Sequence, residues 1–287
     1  MRHMALTYVV TGANSGLGFA TTKALTDRGG HVVMGVRDEK KGRAAQARLE
    51  KGSSEVRVVD LADLESVRAF AAGIERVDVL VNNAGVMAPP PTLSAQGFEV
   101  QFAVNHLAHF ALTGLLLDRI TDRVVTVSSV LHRKGRLRFD DLNAARGNQA
   151  YNQSKLANAV FGIELDRRLR ASGQKIRSVL AHPGYAVTNL QAGVQEGLYR
   201  TLLLRLGNPI LAVPAEQGAR PTVFAATEPG VQGGQFIGPS GLGEMRGAPG
   251  VITPAPAASD PENGRRLWAV SEEMTGVRPG LGDPAAR

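Results

Sequence analysis

The sequence predicts an α/β fold: a doubly wound parallel sheet of about seven strands with helices on both faces, forming a single domain over 1–287. Three observations carry that expectation. Short β-branched runs alternate with longer amphipathic stretches almost from end to end, and strands spaced this way need crossover connections, which make the sheet parallel. No repeat of fixed period and no Pro/Gly/Ser linker divides the chain before the Pro-rich stretch 249–261. The composition, 43% hydrophobic and 21% charged over 287 residues, is that of a globular protein able to bury a large core.

In chain order, the β-branched runs at 6–10, 31–36, 56–59, 77–81, 123–127, 176–181 and 235–237 read as strands. Helical patterns fill the intervals at 16–28, 39–51, 64–74, 94–119, 148–171, 216–227 and 261–275, with a further helical segment within 190–206. The Pro-rich stretch reads as a loop before the last helix. Residues 276–287, with Pro279, Gly280, Gly282 and Pro284, read as a flexible tail.

Composition also excludes chemistry. With no Cys there is no disulfide framework, thiolate metal site or cysteine nucleophile, and a reducing, cytoplasmic location is the natural expectation. The net charge of +7 and pI near 10.0 invite a nucleic-acid reading. The charges are scattered, however, and the densest basic run, His132, Arg133, Lys134, Arg136 and Arg138, has no interleaved aromatic residues for base stacking, so no nucleic-acid partner is expected. That run reads as a solvated insertion, or as a site entrance favouring anionic substrates. The start lacks the pattern of a signal peptide, and no transmembrane segment is expected. The apolar run 198–213 is broken by Arg200, Arg205, Asn208 and Pro209.

After the first strand comes Thr11-Gly12-Ala13-Asn14-Ser15-Gly16-Leu17-Gly18, leading into a helical pattern. Glycines there allow a sharp turn and let backbone N–H groups reach a pyrophosphate, and the helix offers its positive end. At the end of the second strand, Arg37 suits a ribose 2′-phosphate, whereas Asp38, 20 residues past Gly18, suits a 2′-hydroxyl. Spacing leaves that choice open. Tyr151 and Lys155 stand at i and i+4 on one helical face, where a cation beside a phenol lowers its pKa towards the range of a useful acid or base. Ser128 and Ser129 end a buried strand, and Asn82-Asn83-Ala84-Gly85 ends another, at the sheet edge where open α/β folds bind ligands. Asn105, taken alone, reads as a structural amide. His106 and His109, three apart, lack a third ligand at metal spacing, so no metal is expected and helix packing is the reading. His182 reads as a satisfied loop histidine. No GxSxG elbow is present, which disfavours a serine hydrolase.

The order and spacing of 11–18, 82–85, Asn105, Ser129, Tyr151-x-x-x-Lys155 and Pro183-Gly184 resemble those of the short-chain dehydrogenase/reductase family over about 5–275. Asn105-His-Leu-Ala-His-Phe110, Ser154-Lys-Leu-Ala-Asn158 and the 21 residues between Ser129 and Tyr151 make the chain most similar to its retinol-dehydrogenase-like branch. The resemblance implies Tyr151 as general acid/base, Lys155 as the group that lowers its pKa and holds the nicotinamide ribose, Ser129 (rather than Ser128) as the residue orienting the substrate oxygen, and Asn105 as support for a proton relay.

For the cofactor it implies contacts from Gly12, Asn14, Ser15, Gly16, Leu17 and Gly18, from Asp60 and Leu61 at the adenine, from Asn83, Ala84 and Gly85 in the cleft, and from Pro183, Gly184 and Thr188 at the nicotinamide. Arg37 falls at the basic position linked with NADP(H), which is favoured, with NAD(H) as the other candidate because no basic residue sits inside the Gly-rich turn. The segment 185–214 corresponds to a substrate-covering region, hence a lid over an apolar pocket and a small lipophilic carbonyl or alcohol substrate. Assembly as a homodimer or homotetramer through the long helices is a further implication. Two other readings remain, epimerase or dehydratase chemistry on the same fold and a non-catalytic dinucleotide-sensing regulator. The second has no chemical need for Ser129, Tyr151 and Lys155 together.

Overall fold

The computed structural model describes residues 5–184 and 214–283. Eight strands form one sheet: β1 Thr7–Thr11, β2 His31–Val36, β3 Ser53–Val58, β4 Val77–Asn82, β5 Ile120–Val127, β6 Arg177–Ala181, β7 Phe236–Pro239 and β8 Pro249–Ile252. Their spatial order is β3-β2-β1-β4-β5-β6-β7-β8. The first seven pair in parallel, as the spacing required, and β8 runs antiparallel to β7. The strand count is therefore eight rather than about seven. β8 lies in the Pro-rich stretch expected to be a loop, and Pro249 is tolerated because it is the first residue of an edge strand.

Helices cover both faces. They are α1 Gly16–Thr26, α2 Glu39–Gln46, α3 Leu64–Ala72, a composite α4, α5 Gly147–Ala171, α6 Ala215–Thr227 and α7 Pro261–Thr275. Side chains alternate along each strand between two buried layers. Val9, Val33, Leu80, Val124 and Leu180 point into one, and Val10, Met34, Val81, Val125 and Val179 into the other. Because β1 is flanked by β2 on one side and β4 on the other, the chain crosses in opposite directions from it, and a crevice opens at the carboxyl ends of β1 and β4.

The composite α4 is α-helical over Val100–Phe102, π-helical over Ala103–Leu107 and α-helical again over Ala108–Leu116. The helical pattern from residue 94 begins later than expected. Gly97 sits at φ +81°, and Glu99 caps the helix by accepting from the Phe102 N–H. Val100–Arg119 is long and apolar enough to cross a membrane by composition, yet 83% of its most apolar stretch is buried inside the protein. It is the central core helix.

α7 starts at Pro261 behind an Asp260 cap and stops at Gly276 in the left-handed region. It packs on α4 and α5, with Trp268 against Phe110 and Phe161. The residues just beyond it are not loose. Val277 and Leu281 are buried, and the Leu281 carbonyl accepts from Arg168. Thus 276–283 of the expected flexible tail is packed on the core, because its Val and Leu supply apolar surface between the prolines and glycines. Residues 284–287 lie outside the described residues, as do the expected helical segment within 190–206, Thr188 and all but Pro214 of the substrate-covering segment expected over 185–214.

Candidate active site

The crevice begins with the glycine turn. Gly12 at φ +67° lets the chain leave β1 sharply. A Cβ on Gly18 would stand 2.2 Å from the Gly12 carbonyl oxygen, so only glycine allows α1 to start this close to the strand. Ser15 occupies the N-cap of α1 without a side-chain hydrogen bond, and no acid sits in the first turn. The first N–H groups of α1 are thus left for an anion. Gly16 and Leu17 stand in that same turn.

A cavity of about 470 Å³ follows, lined by Gly12, Asn14, Ser15, Arg37, Asp60, Leu61, Ala84 and Gly85 among others. It brings together residues that follow four strands, β1, β2, β3 and β4. Lys41 lines it as well, a cation that the motifs did not point to. Asp38 accepts from the Lys41 N–H at 3.0 Å and so caps α2, which holds its carboxyl below its ordinary range. The residues fit a dinucleotide: a glycine cradle that a Cβ would fill, an uncapped helix start and two cations at the far end of one cavity. Pro183 and Gly184 stand apart from it, past the end of β6. There a Cβ on Gly184 would lie 2.4 Å from the Met245 carbonyl, which is why a glycine at φ +70° is needed.

The catalytic candidates converge between β5, α4 and α5. Gly85 is the hinge of that convergence, since an added Cβ there would be 3.1 Å from Asn105 Oδ1 and 3.4 Å from Lys155 Nζ. Lys155 Nζ donates to the Val127 carbonyl at 3.2 Å and lies 5.7 Å from the Tyr151 ring centre. Ser128 is buried and donates to the Lys155 carbonyl at 2.7 Å, a structural tie between β5 and α5. Ser129 is half-buried and hydrogen-bonds the Tyr151 phenol. The structure thereby separates the two serines that the strand pattern alone left together.

Electrostatics depart from the simple expectation of a cation lowering a phenol. Burial pushes the Tyr151 phenol up to about 12, against the lowering effect of its Ser129 hydrogen bond. Burial likewise brings Lys155 down to about 8. Desolvation outweighs the pairing because the ammonium is turned to the Val127 carbonyl and not to the phenolic oxygen. Tyr151 is therefore protonated at neutral pH.

Asn105 lies inside the π-helical turn, fully buried. Its amide donates to the Val86 carbonyl and to Ser154 Oγ, and its Oδ1 accepts from the Val86 N–H at 2.8 Å. Ser154 Oγ in turn donates to the Tyr151 carbonyl. A second chain runs through His109. Thr11 Oγ1 accepts from the Asn83 and Ala84 N–H groups at 2.9 and 3.0 Å, which fills both lone pairs. Its proton is then left for His109 Nε2 at 2.9 Å, so the His109 proton sits on Nδ1 and is donated to the Asn105 carbonyl at 3.0 Å. Burial brings His109 down to about 4, consistent with that neutral form. His106 faces the other way, bonded to Ser271 of α7, so the two histidines do not share a ligand. Among the described residues no cluster suits a metal ion.

His132 was also missed as a member of the site. Its Nδ1 donates to the Ser129 carbonyl at 2.7 Å, and its Nε2 accepts from the Ala255 N–H at 3.0 Å. Arg133 next to it reaches Glu244 and the Thr253 carbonyl. His182, satisfied as expected on one side by the Gly184 N–H, lies 3.4 Å from Glu244 on the other. A network of side chains thus ties the Ser129 turn to the segments on either side of β8.

Comparison with known proteins agrees with this geometry. The short chain dehydrogenase family profile matches residues 7–198. Human retinol dehydrogenase 13 is 40% identical over 292 residues, covering 94% of this chain and 85% of that protein. Mouse retinol dehydrogenase 14 is 37% identical over 298 residues, covering 94% and 86%. A solved structure of an uncharacterised Mycobacterium paratuberculosis protein is 45% identical, covers 96% of this chain and 95% of its own, and superposes with a TM-score of 0.83.

Proposed function

The chain belongs to the short-chain dehydrogenase/reductase family, in its retinol-dehydrogenase-like branch, and from that premise we propose that it interconverts a carbonyl and an alcohol on a small lipophilic substrate with NADP(H). The observation that carries the proposal is the meeting of Ser129, Tyr151 and Lys155 at the carboxyl ends of β5 and the start of α5, beside a cavity floored by the glycine turn. When bound, the dinucleotide supplies or accepts the hydride.

The chain's own residues do the rest. Tyr151, protonated at neutral pH, donates its phenolic proton to a carbonyl oxygen as negative charge develops there, and takes it back in the opposite direction. Ser129 holds the same oxygen from the second side. Lys155, cationic below about pH 8, stabilises the phenolate left behind, and Asn105 fixes the first turns of α5 through Ser154.

The preference for NADP(H) is supported by Arg37 and Lys41 lining the cavity while the Asp38 carboxylate caps α2. The lipophilic substrate class is supported by the leucine-rich sequence over 185–214 and by relatives named for retinol. The test is NADPH oxidation at 340 nm with a panel of lipophilic aldehydes and ketones, alongside calorimetric titration of NADPH and NADH. Turnover lost in Tyr151→Phe with cofactor affinity retained supports the assignment. Tight binding without turnover on the whole panel refutes it in favour of a sensor.

A further inference from the structure

Outside the dinucleotide cleft, a second polar cavity of about 290 Å³ lies on the outer side of α5, lined by Lys134, Arg136, Arg138, Gln149, Asn152 and Gln153 with Ala145. It shares no residue with the cleft. Lys134 ends the 3-10 helical turn Val130–Lys134, and beyond it Leu137 and Phe139 pack against the core while Arg136 and Arg138, alternating with them, are exposed beside the cavity.

The backbone that presents them is pinned. Gly135 lies so close to α5 that a Cβ would be 2.5 Å from the Asn152 carbonyl oxygen and 2.6 Å from Leu156 Cβ. The Arg138 N–H donates to Gln153 Oε1, and Gln153 Nε2 donates to the Leu142 carbonyl. Arg266 stacks on Phe139 from the other side at 4.2 Å.

A solvated charge run would be expected to find carboxylates, as Arg43 finds Glu39 and Arg133 finds Glu244. These three do not. Among the described residues none of their charged heads has an ion-pair or hydrogen-bond partner, no acid lines the cavity, and the first turn of α5 carries no acid and no side-chain cap. A pinned loop that gathers like charges against the positive end of a 25-residue helix pays repulsion that a bound anion removes.

We propose that this cavity binds a phosphate-bearing anion, distinct from the dinucleotide and held by the Arg136 and Arg138 guanidiniums and the Lys134 ammonium, with the Gln149 and Asn152 amides as further donors. The site lies on the helix whose inner face carries Tyr151 and Lys155. The same chemistry reaches it as a soluble phosphorylated molecule or as a lipid headgroup.

Two probes separate these sources: pyrophosphate, titrated calorimetrically into the full chain with NADPH present at saturation so that the dinucleotide cleft is occupied, and sedimented phosphatidylcholine vesicles with or without phosphatidic acid. Each is applied to Arg136→Gln/Arg138→Gln and to the control Lys51→Gln/Lys175→Gln, which removes the same charge elsewhere. Thermal melting verifies that all variants fold. Loss of about tenfold or more in pyrophosphate affinity for the cavity pair, with under about twofold for the control, supports a soluble ligand. The same pattern for phosphatidic acid vesicles alone supports a headgroup. No binding of either probe, or equal loss in cavity pair and control, overturns the proposal and leaves a solvated basic face.

Discussion

The two halves of the crevice are built on different principles. On the β1–β2 side the lining is largely backbone, a glycine turn and an open helix start, with exposed Arg37 and Lys41 at the margin. On the β5–α5 side the lining is side chains, tied to carbonyls or to other side chains around them, as where Lys155 donates to the Val127 carbonyl, Asn105 to Ser154 and His132 to the Ser129 carbonyl. The first half tolerates most side-chain changes but no added Cβ. The second tolerates little, because removing one partner leaves another buried polar group unsatisfied.

That contrast can be tested most severely at Tyr151. Tyr151→Phe should lower kcat about a thousandfold while the NADPH Kd, measured by calorimetry, stays within about twofold. A parallel loss of affinity would erase the division between the halves. Gly18→Ala should do the reverse, weakening NADPH by about thirtyfold, or roughly 2 kcal/mol, because its Cβ would meet the Gly12 carbonyl. Arg37→Glu should cost about tenfold in NADPH affinity and leave NADH nearly unchanged, as expected for one charge-assisted contact to the 2′-phosphate.

The smallest effect near neutrality is in acid. His106 at about 3 and His109 at about 4 lie below the ordinary histidine value, both through burial. Unfolding then takes up protons below pH 6.5, so the stability these groups contribute is complete above that pH and is lost progressively as pH falls to about 4 for His109 and about 3 for His106, each by up to about 1.4 kcal/mol per pH unit. Hydrogen exchange at pH 5 should accordingly show α4 loosening before β1–β2.

Legibility in the sequence followed the same division. The glycine turn, the strand ends and the Tyr151–Lys155 pair could be read because each is local, fixed by spacing along a single element. What escaped depends on contacts between distant residues. His132 gains its role only when β8 brings Ala255 beside it, and β8 itself was hidden by prolines acceptable at a sheet edge. His109 reads as packing until the π-helical turn and Thr11 settle where its proton lies. The phenol's shift went the other way from the two-residue argument because burial, invisible in spacing, dominates and the Lys155 ammonium is turned to the Val127 carbonyl.

The chain's own α7 and residues 277–281 cover part of α4 and α5, the long helices through which assembly of identical subunits was expected, with Trp268 under Arg168 and packed on both Phe110 and Phe161. A tethered helix has a local concentration set by its connection and not by how much protein is present. Mass action therefore has no hold on that intramolecular packing: specific activity that stays constant from micromolar to nanomolar enzyme is the outcome expected if it alone supports α5, and a fall on dilution would show that a second subunit contributes.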